Sequence, residues 1–258
     1  MNRIDKLFQS GKKDILSVYF TAGYPNLDDT AKIIKSLSDH GVDTIEIGVP
    51  FSDPMADGPV IQASGQKALN NGMTQKILFQ QLAEIRKVTD IPLIMMSYIN
   101  TAMQFGFEDY CKKCAEVGVD GLIIPDLPSE VYLAQYKKFV ETNRLDYIQL
   151  ITPETSDERI RAIDDMSKGF IYMVSSASTT GAQQSFNEAK QQYFSHIESM
   201  NLKNPTLVGF GVSNKETFRV AADHSRGCII GSAFIKLLGT CKTIDEAVET
   251  LINNVKGC

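Results

Sequence analysis

The amino-acid sequence predicts an α/β protein, a (β/α)8 TIM barrel formed by a single domain over residues 1–258. The chain has 258 residues, and such barrels commonly run to about 200–250 residues as one domain. Short apolar segments alternate with amphipathic helical patterns from end to end, which favours a parallel sheet. No linker, low-complexity tract or block of one charge divides the chain. We also expect a short N-terminal helix and a short extra helix before the last helix.

Eight segments are short and nearly continuously apolar, as expected for parallel strands covered on both faces. The predicted strands are Leu16–Thr21, Thr44–Gly48, Pro92–Ser97, Gly121–Pro125, Tyr147–Ile151, Phe170–Ser175, Thr206–Gly209 and Cys228–Gly231. Eight βα units favour a closed barrel over an open sheet. In such barrels the chemistry lies where strands end and βα loops begin, so polar residues there are the candidate functional residues.

Helical periodicity marks the segments between the strands. In Asp28–His40, apolar and small residues that include Leu37 recur on one stripe. In Thr74–Val88, the apolar residues from Ile77 to Val88 also follow the helical period. This pattern predicts one continuous helix with Val88 on its buried face.

Two segments, His40–Gly48 and Val117–Pro125, resemble each other. In both, the pattern predicts a helix that ends at glycine, a Val-Asp pair that turns the chain, and an apolar strand. Glycine fits the left-handed position at a helix end at low steric cost. The similarity supports a fold built from one repeated unit.

Composition and charge exclude several classes of function. The formal net charge of −5 argues against nucleic-acid binding, which needs a basic face, but a few backbone N–H groups can still hold one phosphate. The most apolar stretches are strand length, far short of the roughly 20 residues that a membrane span needs. The N-terminus lacks a signal peptide's apolar core. We therefore expect a cytoplasmic protein that binds neither nucleic acid nor membrane.

Five cysteines in a chain without a leader suggest reduced thiols. Cys111 and Cys114 form a C-x-x-C motif in the helical segment Asp109–Gly118, and one interpretation is a redox pair or half of a zinc site. There is no second C-x-x-C, and the three histidines lie in different segments. The sequence therefore favours two small helix residues one turn apart and predicts no metal site.

Glu46 is an acidic residue inside the second predicted strand. Because side chains alternate along a strand, Ile45 and Ile47 share one face and Glu46 takes the other. If the isoleucines pack on helices, Glu46 points into the barrel, where burial raises the pKa of a carboxyl group. Such a group can give and take a proton near neutral pH. A buried glutamate paired for structural reasons is an equally good interpretation of the residues alone.

Two aspartates, Asp53 and Asp57, lie in the loop that follows this strand, which Pro50, Pro54 and Pro59 stiffen. A carboxylate at Asp57 could reach over the barrel mouth and accept a hydrogen bond from a substrate N–H. The residues alone favour the simpler alternative, in which both aspartates shape turns.

Glycine-bearing strand exits late in the chain predict a phosphate site. They are Thr179–Ala182, Gly209–Ser213 and Gly231–Lys236. Glycine lets a phosphate approach the backbone, and a short helix starting at Ser232 would aim its N–H groups at the anion. Loops seven and eight form the recurring phosphate site of this fold. Plain turn glycines are the alternative, and the sequence has no dinucleotide or P-loop motif.

Taken together, these segments match the pattern of a known family. The matching positions are Glu46, Pro50–Pro59, Met96–Asn100, Pro125–Pro128, Tyr172, Gly209–Ser213 and Gly231 with Ser232. The chain resembles the alpha subunits of tryptophan synthase over its whole length, and the Pro50–Pro59 segment is the most specific part of the resemblance.

The resemblance implies a lyase that cleaves indole-3-glycerol phosphate into indole and glyceraldehyde 3-phosphate in L-tryptophan biosynthesis. It implies no cofactor in this chain and transfer of indole to a pyridoxal-phosphate-dependent beta subunit in a heterotetramer of two alpha and two beta subunits. Glu46 would protonate the indole ring carbon and take the glycerol hydroxyl proton. Asp57 would bind the indole N–H and stabilise the positive intermediate.

Positions for substrate binding also follow from the resemblance. Tyr172 would line the site near Glu46. The indole pocket would be lined by Tyr19, Ile61 and Met96. The phosphate would be held by Gly181, Gly211, Gly231 and Ser232.

The chain departs from the family pattern in two places. After the sixth strand the family reads Ser-Arg-x-Gly-Val-Thr-Gly, whereas this chain has Ser176, Ser178 and Thr179 in place of the Arg, the first Gly and the Val. That loop is a mobile lid in the family, so the change bears on closure and on signalling to the partner. Tyr19 stands where phenylalanine is usual.

Two other classes of function stay open. One is a different phosphate-binding barrel enzyme, such as a sugar-phosphate isomerase or epimerase, although these usually need metal ligands or another acid/base pair. The other is a barrel that only binds and regulates a partner, and the presence of both Glu46 and Asp57 weighs against it.

Overall fold

The computed structural model describes residues 1–175, 188–209 and 211–257. Its parallel strands pair in chain order and close into a barrel, with β8 against β1. The strands are β1 Ile15–Thr21, β2 Thr44–Gly48, β3 Leu93–Met96, β4 Gly121–Ile123, β5 Asp146–Ile151, β6 Ile171–Val174, β7 Thr206–Gly209 and β8 Gly227–Ile230. The predicted (β/α)8 barrel is confirmed.

Helices follow the strands around the barrel. The α-helices of the described residues are α1 Arg3–Gln9, α2 Thr30–Asp39, α3 Pro59–Asn70, α4 Gln75–Leu82, α5 Ile99–Phe105, α6 Phe107–Glu116, α7 Ser129–Val131, α8 Lys137–Thr142, α9 Asp157–Met166, α10 Glu188–Ser199, α11 Lys215–Asp223, α12 Ser232–Thr240 and α13 Ile244–Lys256. Helix α1 is the predicted N-terminal helix, and α12 is the predicted extra helix. Among these helices, none combines the length and the apolar character that a membrane crossing requires.

The strand bounds agree with the prediction to within two residues, and those of β2 and β7 agree in full. Strand β4 ends earlier than predicted, at Ile123, because the next carbonyl, that of Ile124, accepts a turn hydrogen bond from Leu127 N–H at 3.2 Å. Strand β8 ends at Ile230, so Gly231 lies at the start of α12 instead of in the strand.

The prediction of one helix over Thr74–Val88 is wrong. Helix α4 ends at Leu82, a short 3-10 turn follows, and Val88 is 49% exposed. Arg86 explains the change, because its guanidinium donates to Asp120 at 2.8 Å and to the Gly118 carbonyl at 2.6 Å in the turn before β4, and to the nearby Ile91 carbonyl at 2.6 Å. These bonds hold the 3-10 turn in place, so the chain leaves the helical path and Val88 faces solvent.

The two similar segments fold alike. Helices α2 and α6 are each followed by a glycine with positive φ, 76° at Gly41 and 84° at Gly118. The aspartates that come next, Asp43 and Asp120, each accept a hydrogen bond from a backbone N–H of the preceding strand, at 2.9 and 3.0 Å. The repeated sequence therefore encodes a turn that fastens one strand to the one before it.

Helix α1 closes the amino-terminal end of the barrel. Its residues Ile4 and Phe8 are buried in one cluster with the inward-facing Ile94 and Ile148. Phe8 packs on Phe170 with ring centroids 5.6 Å apart. Because side chains fill this end, the carboxyl ends of the strands form the face that the loops can open to a ligand.

The C-x-x-C cysteines, Cys111 and Cys114, are free and buried on α6. Burial raises the pKa of the Cys111 thiol to about 12. The neutral thiol is therefore the stable form, which agrees with a packing role for both residues.

Candidate active site

Glu46 lies on the inner face of the barrel. Ile45 and Ile47 belong to the main core, which also contains helix residues, so strand alternation turns Glu46 the other way. The side chain is fully buried, and its Oε1 accepts a hydrogen bond of 3.0 Å from Ser17 Oγ on β1. Within the described chain, Oε2 has no hydrogen-bond partner. Burial raises the pKa of Glu46 to about 8, against a lowering effect of the Ser17 hydrogen bond.

Asp57 lies on the loop between β2 and α3, at the carboxyl ends of the strands. Its Oδ2 accepts a hydrogen bond of 3.1 Å from Tyr98 Oη. Burial raises the pKa of Asp57 to about 6, and the Tyr98 hydrogen bond opposes that rise. Asp53, on the same loop, is exposed and accepts a hydrogen bond from its neighbour Ser52. The turn-shaping interpretation therefore suits Asp53, whereas Asp57 is held by the Tyr98 side chain from the segment between β3 and α5.

Two buried tyrosines lie close to both carboxyl groups. Burial raises the pKa of Tyr172 on β6 well above its usual value, and the charges of Glu46 and Asp57 add to the effect. Tyr19 on β1 pairs in register with Glu46, and its pKa is raised by burial and by the charge of Asp57. The barrel thus brings four of the predicted site residues together.

Glycines make room for both tyrosine rings. A Cβ atom at Gly48 would lie 2.1 Å from Tyr19 Oη, and one at Gly209 would lie 2.3 Å from Tyr172 Oη. Neither position can carry a larger residue without moving its tyrosine. Gly209 therefore has a packing function that its place in a glycine-rich strand exit did not reveal.

The structure describes three of the four predicted phosphate-binding residues. Helix α12 begins at Ser232, directly after Gly231, and the first N–H groups of a helix have no carbonyl partner within it. A Cβ atom at Gly231 would lie 3.3 Å from the Tyr19 ring, so this helix start adjoins Tyr19. Gly211 is buried with a φ of 82°, a left-handed conformation that favours glycine. Gly181 lies outside the described residues, as do Ser176, Ser178 and Thr179.

Met96 and Ile61 are the predicted apolar wall. Met96 ends β3, is half-buried and packs against both the inner cluster and the main core. Ile61 is half-buried in the first turn of α3 and packs against the cluster that contains Tyr19.

The two carboxyl groups can do different chemistry at the same pH. With a pKa of about 8, Glu46 is mostly protonated at neutral pH, whereas Asp57, with a pKa of about 6, is mostly ionised. The site can donate a proton at one point and stabilise positive charge at another. Within the described residues, no group of three or more His, Cys, Asp or Glu side chains could hold a metal ion.

Comparison with known proteins identifies the family. The family model described as tryptophan synthase alpha chain matches residues 6–257. The chain belongs to the tryptophan synthase alpha chain family. A relative of that name from Parabacteroides distasonis is 60% identical over 256 residues, which cover 99% of this chain and 100% of the relative. Another, from Flavobacterium johnsoniae, is 61% identical over 238 residues and covers 92% of this chain and 94% of the relative.

Solved structures of tryptophan synthase have the same fold. The alpha subunit from Legionella pneumophila aligns with a TM-score of 0.88 at 30% identity, covering 100% of this chain and 98% of that one. A chain of tryptophan synthase from M. tuberculosis aligns with a TM-score of 0.82 at 26% identity, covering 97% and 100%. The family resemblance predicted from the sequence motifs is confirmed.

Two residues of this alpha-chain site, Ser17 and Tyr98, were not predicted. Ser17 is a polar residue in an apolar strand, two positions before Tyr19, and strand alternation puts both on the inner face. That alternation was a usable signal. Tyr98 lies within a predicted family segment, but its contact with Asp57 depends on the path of a loop, which no sequence period encodes.

Proposed function

We propose that this chain cleaves indole-3-glycerol phosphate into indole and glyceraldehyde 3-phosphate, as the alpha subunit of tryptophan synthase in L-tryptophan biosynthesis. The observation that carries the proposal is the pair of carboxyl groups at one end of the barrel, Glu46 and Asp57, which burial holds in different charge states. Membership of the tryptophan synthase alpha chain family supports it.

The reaction needs a proton donor that then acts as a base. Protonated Glu46 gives its proton to the indole ring carbon that carries the glycerol chain, which makes the ring positively charged. The Glu46 carboxylate then takes the proton of the hydroxyl next to the ring. The electrons of that O–H bond form the aldehyde carbonyl, the carbon–carbon bond breaks, and its electron pair restores the neutral ring. Ionised Asp57 accepts a hydrogen bond from the indole N–H and stabilises the positively charged ring before the carbon–carbon bond breaks.

Substrate position depends on the phosphate, which lies away from the breaking bond. We assign phosphate binding to Gly181, Gly211, Gly231 and Ser232, with the first turn of α12 donating N–H groups to the anion. Holding the phosphate at one end orients the glycerol chain towards Glu46. The indole ring lies in a pocket lined by Tyr19, Ile61, Met96 and Tyr172.

We propose that this chain acts without a cofactor of its own and in the cytoplasm. Both proton transfers are assigned to the Glu46 carboxyl group, Asp57 stabilises the positive ring, and the broken bond needs no nucleophile. Pyridoxal phosphate belongs, in this proposal, to the beta subunit that consumes the indole.

Exposed apolar side chains in three neighbouring βα units support docking of a beta subunit. Met55, Met103 and Leu133 are 88%, 55% and 46% exposed, and they follow the neighbouring strands β2, β3 and β4 in the chain. Exposed apolar patches commonly mark contact surfaces. We assign this surface to the beta subunit in a heterotetramer of two alpha and two beta subunits, so that indole leaves the mouth towards the partner.

The proposed function is tested by measuring indole released from indole-3-glycerol phosphate, with and without a purified beta subunit. Formation of indole and glyceraldehyde 3-phosphate in equal amounts is expected. Isomerised or epimerised sugar phosphate without indole would favour the other enzyme class. A change in beta-subunit activity with no cleavage in either preparation would favour a regulatory barrel.

A further inference from the structure

Tyr98 joins the end of β3 to the loop that carries Asp57. Its hydroxyl accepts a hydrogen bond of 2.9 Å from Ala56 N–H and donates one of 3.1 Å to Asp57 Oδ2. Its ring stacks on that of Phe51 at the start of the same loop, with centroids 5.2 Å apart and an interplanar angle of 30°. One side chain therefore contacts this loop at three points.

The other hydrogen bonds of the loop are mostly local. Asp57 N–H donates to the Pro54 carbonyl at 3.1 Å, and Met55 N–H donates to the Asp53 carbonyl at 2.9 Å. From outside the loop, Gln62 on α3 donates to the Asp57 carbonyl at 2.8 Å. Four of the five residues from 52 to 56 are exposed. Tyr98 is thus the contact between the Asp57 carboxylate and the wall of the barrel.

Tyr98 itself occupies a fixed place. It is 5% exposed and lies between β3 and α5. On one side of it, Ser97 N–H donates to the Ile123 carbonyl at 3.0 Å. On the other, Ile99 N–H donates to Asp126 Oδ1 at 2.9 Å. Since both neighbours are bound to β4 and to the loop that follows it, the Tyr98 backbone is fixed independently of the Asp57 loop.

We infer that Tyr98 is a positioning residue for cleavage, which fixes the Asp57 carboxylate at the barrel mouth. The inference rests on the proposed function, in which Asp57 accepts a hydrogen bond from the substrate N–H. A donor on Oδ2 ties that oxygen to the protein and leaves Oδ1 for the substrate. Groups held by a rigid element need no reorganisation when charge develops in the reaction.

This role predicts a shift in pH dependence that loop packing alone would not produce. The phenol of Tyr98 faces Asp57 from the segment between β3 and α5, those of Tyr19 and Tyr172 face it from β1 and β6, and Asp126 faces Tyr98. The Tyr98 hydrogen bond lowers the pKa of Asp57, so loss of the hydroxyl raises that pKa. Because the reaction needs ionised Asp57, the acidic limb of the rate profile moves to higher pH. A loop that merely loosened would expose Asp57 to water and move the limb to lower pH.

The variant Tyr98→Phe keeps the stacked ring and deletes the hydroxyl. Indole release is measured across pH with excess beta subunit, together with thermal stability. We expect kcat to fall about tenfold to a hundredfold with a smaller change in KM, and the acidic limb to move to higher pH. Tyr147→Phe is the matched control, because Tyr147 is also buried and stacked, on Tyr132, away from this loop. It should keep the wild-type profile.

A second test uses Asp57→Asn. If Tyr98 acts through the carboxylate, adding Tyr98→Phe to Asp57→Asn should change kcat by no more than about twofold. If Tyr98→Phe lowers kcat in the Asp57→Asn background as much as in the wild type, the inference is overturned. It is also overturned if the single variant Tyr98→Phe keeps the pH–rate profile of an active wild type, or if its acidic limb moves to lower pH. Absence of indole from the wild type itself would reject the proposed function, and the inference with it.

Discussion

Glu46 and Asp57 differ in how deeply each carboxyl group is buried. Glu46 is enclosed by the barrel with Ser17 as a donor to Oε1, whereas Asp57 is half-buried on a loop with Tyr98 as a donor. Burial disfavours the charged form, so the deeper group keeps its proton to higher pH. Strand alternation could predict that Glu46 faces inward. It could not separate an acid from a paired structural residue, because that depends on how many donors reach the carboxyl group.

Replacing Ser17 with alanine tests the tuning of Glu46. Loss of the donor raises the pKa of Glu46 further above about 8. Since Glu46 must start protonated, the alkaline limb of kcat/KM for indole release should move to higher pH, by up to about one unit. Ser129→Ala deletes another buried hydroxyl, bound to Gln149, and serves as the control. An alkaline limb that stays in place in Ser17→Ala would count against this hydrogen bond as an influence on the reaction.

Asp57→Asn keeps the shape of the side chain and removes its charge. Positive charge develops on the indole ring mainly during the reaction, so kcat should fall by about 10²–10³ while KM changes less. Steady-state kinetics with indole-3-glycerol phosphate gives both constants. An effect confined to KM would mean that Asp57 binds the substrate without stabilising the reacting ring.

At the level of elements, local patterns predicted the strands but not every helix end. Short, nearly continuously apolar segments predict the strands directly, since a parallel strand is buried on both faces. Helix α4 ended early because Arg86 bonds to a neighbouring βα unit that is distant in sequence. The loop that carries Asp57 is bound in the same way by Tyr98, which follows β3. Such contacts between elements leave no periodic trace in the sequence.

Helix α12 gives an element-scale test of the phosphate site. Ser232→Asp puts a negative charge at the helix start, where the proposal places the anion. Affinity for glycerol 3-phosphate, measured by calorimetry, should fall about tenfold or more. Thr240→Asp, at the exposed far end of the same helix, should leave binding unchanged. Equal affinities for the wild type and Ser232→Asp would place the phosphate elsewhere.

At the scale of the whole molecule, the two ends of the barrel differ. Helix α1 fills the amino-terminal end with Ile4 and Phe8, while the loop that carries Asp57 follows the carboxyl end of β2. The closed barrel was predictable from the sequence, because eight consecutive βα units are typical of the (β/α)8 barrel fold. The exposure of Met103 was not, since helical periodicity does not distinguish a face that packs inside the chain from one that packs on a partner.

Activation by a beta subunit follows from this polarity. The Asp57 loop and the polar segment 176–185 follow β2 and β6 in the chain, so a partner over the mouth would pack on the Asp57 loop and exclude water. We expect the cleavage rate to rise with beta-subunit concentration and to level off when the chain is saturated. Hydrogen exchange in the segment 176–185 should slow in the same samples.

Charge substitutions give this prediction a matched control. Met103→Asp, on the helix that follows β3, should require more beta subunit for the same rate. Val88→Asp, at an exposed apolar residue that precedes β3, should not. A rate that stays flat while the complex demonstrably forms would contradict activation and favour an alpha chain that releases indole alone.

The central claim is that Glu46 moves the proton that breaks the carbon–carbon bond. Its most direct test is indole release from indole-3-glycerol phosphate by the wild type and by Glu46→Gln, with saturating beta subunit and with the fold of both proteins checked by circular dichroism. The amide has nearly the same shape but cannot shuttle a proton, so turnover should fall by about 10²–10⁴ or more while the fold is kept. Wild-type turnover in a correctly folded Glu46→Gln variant would contradict the mechanism.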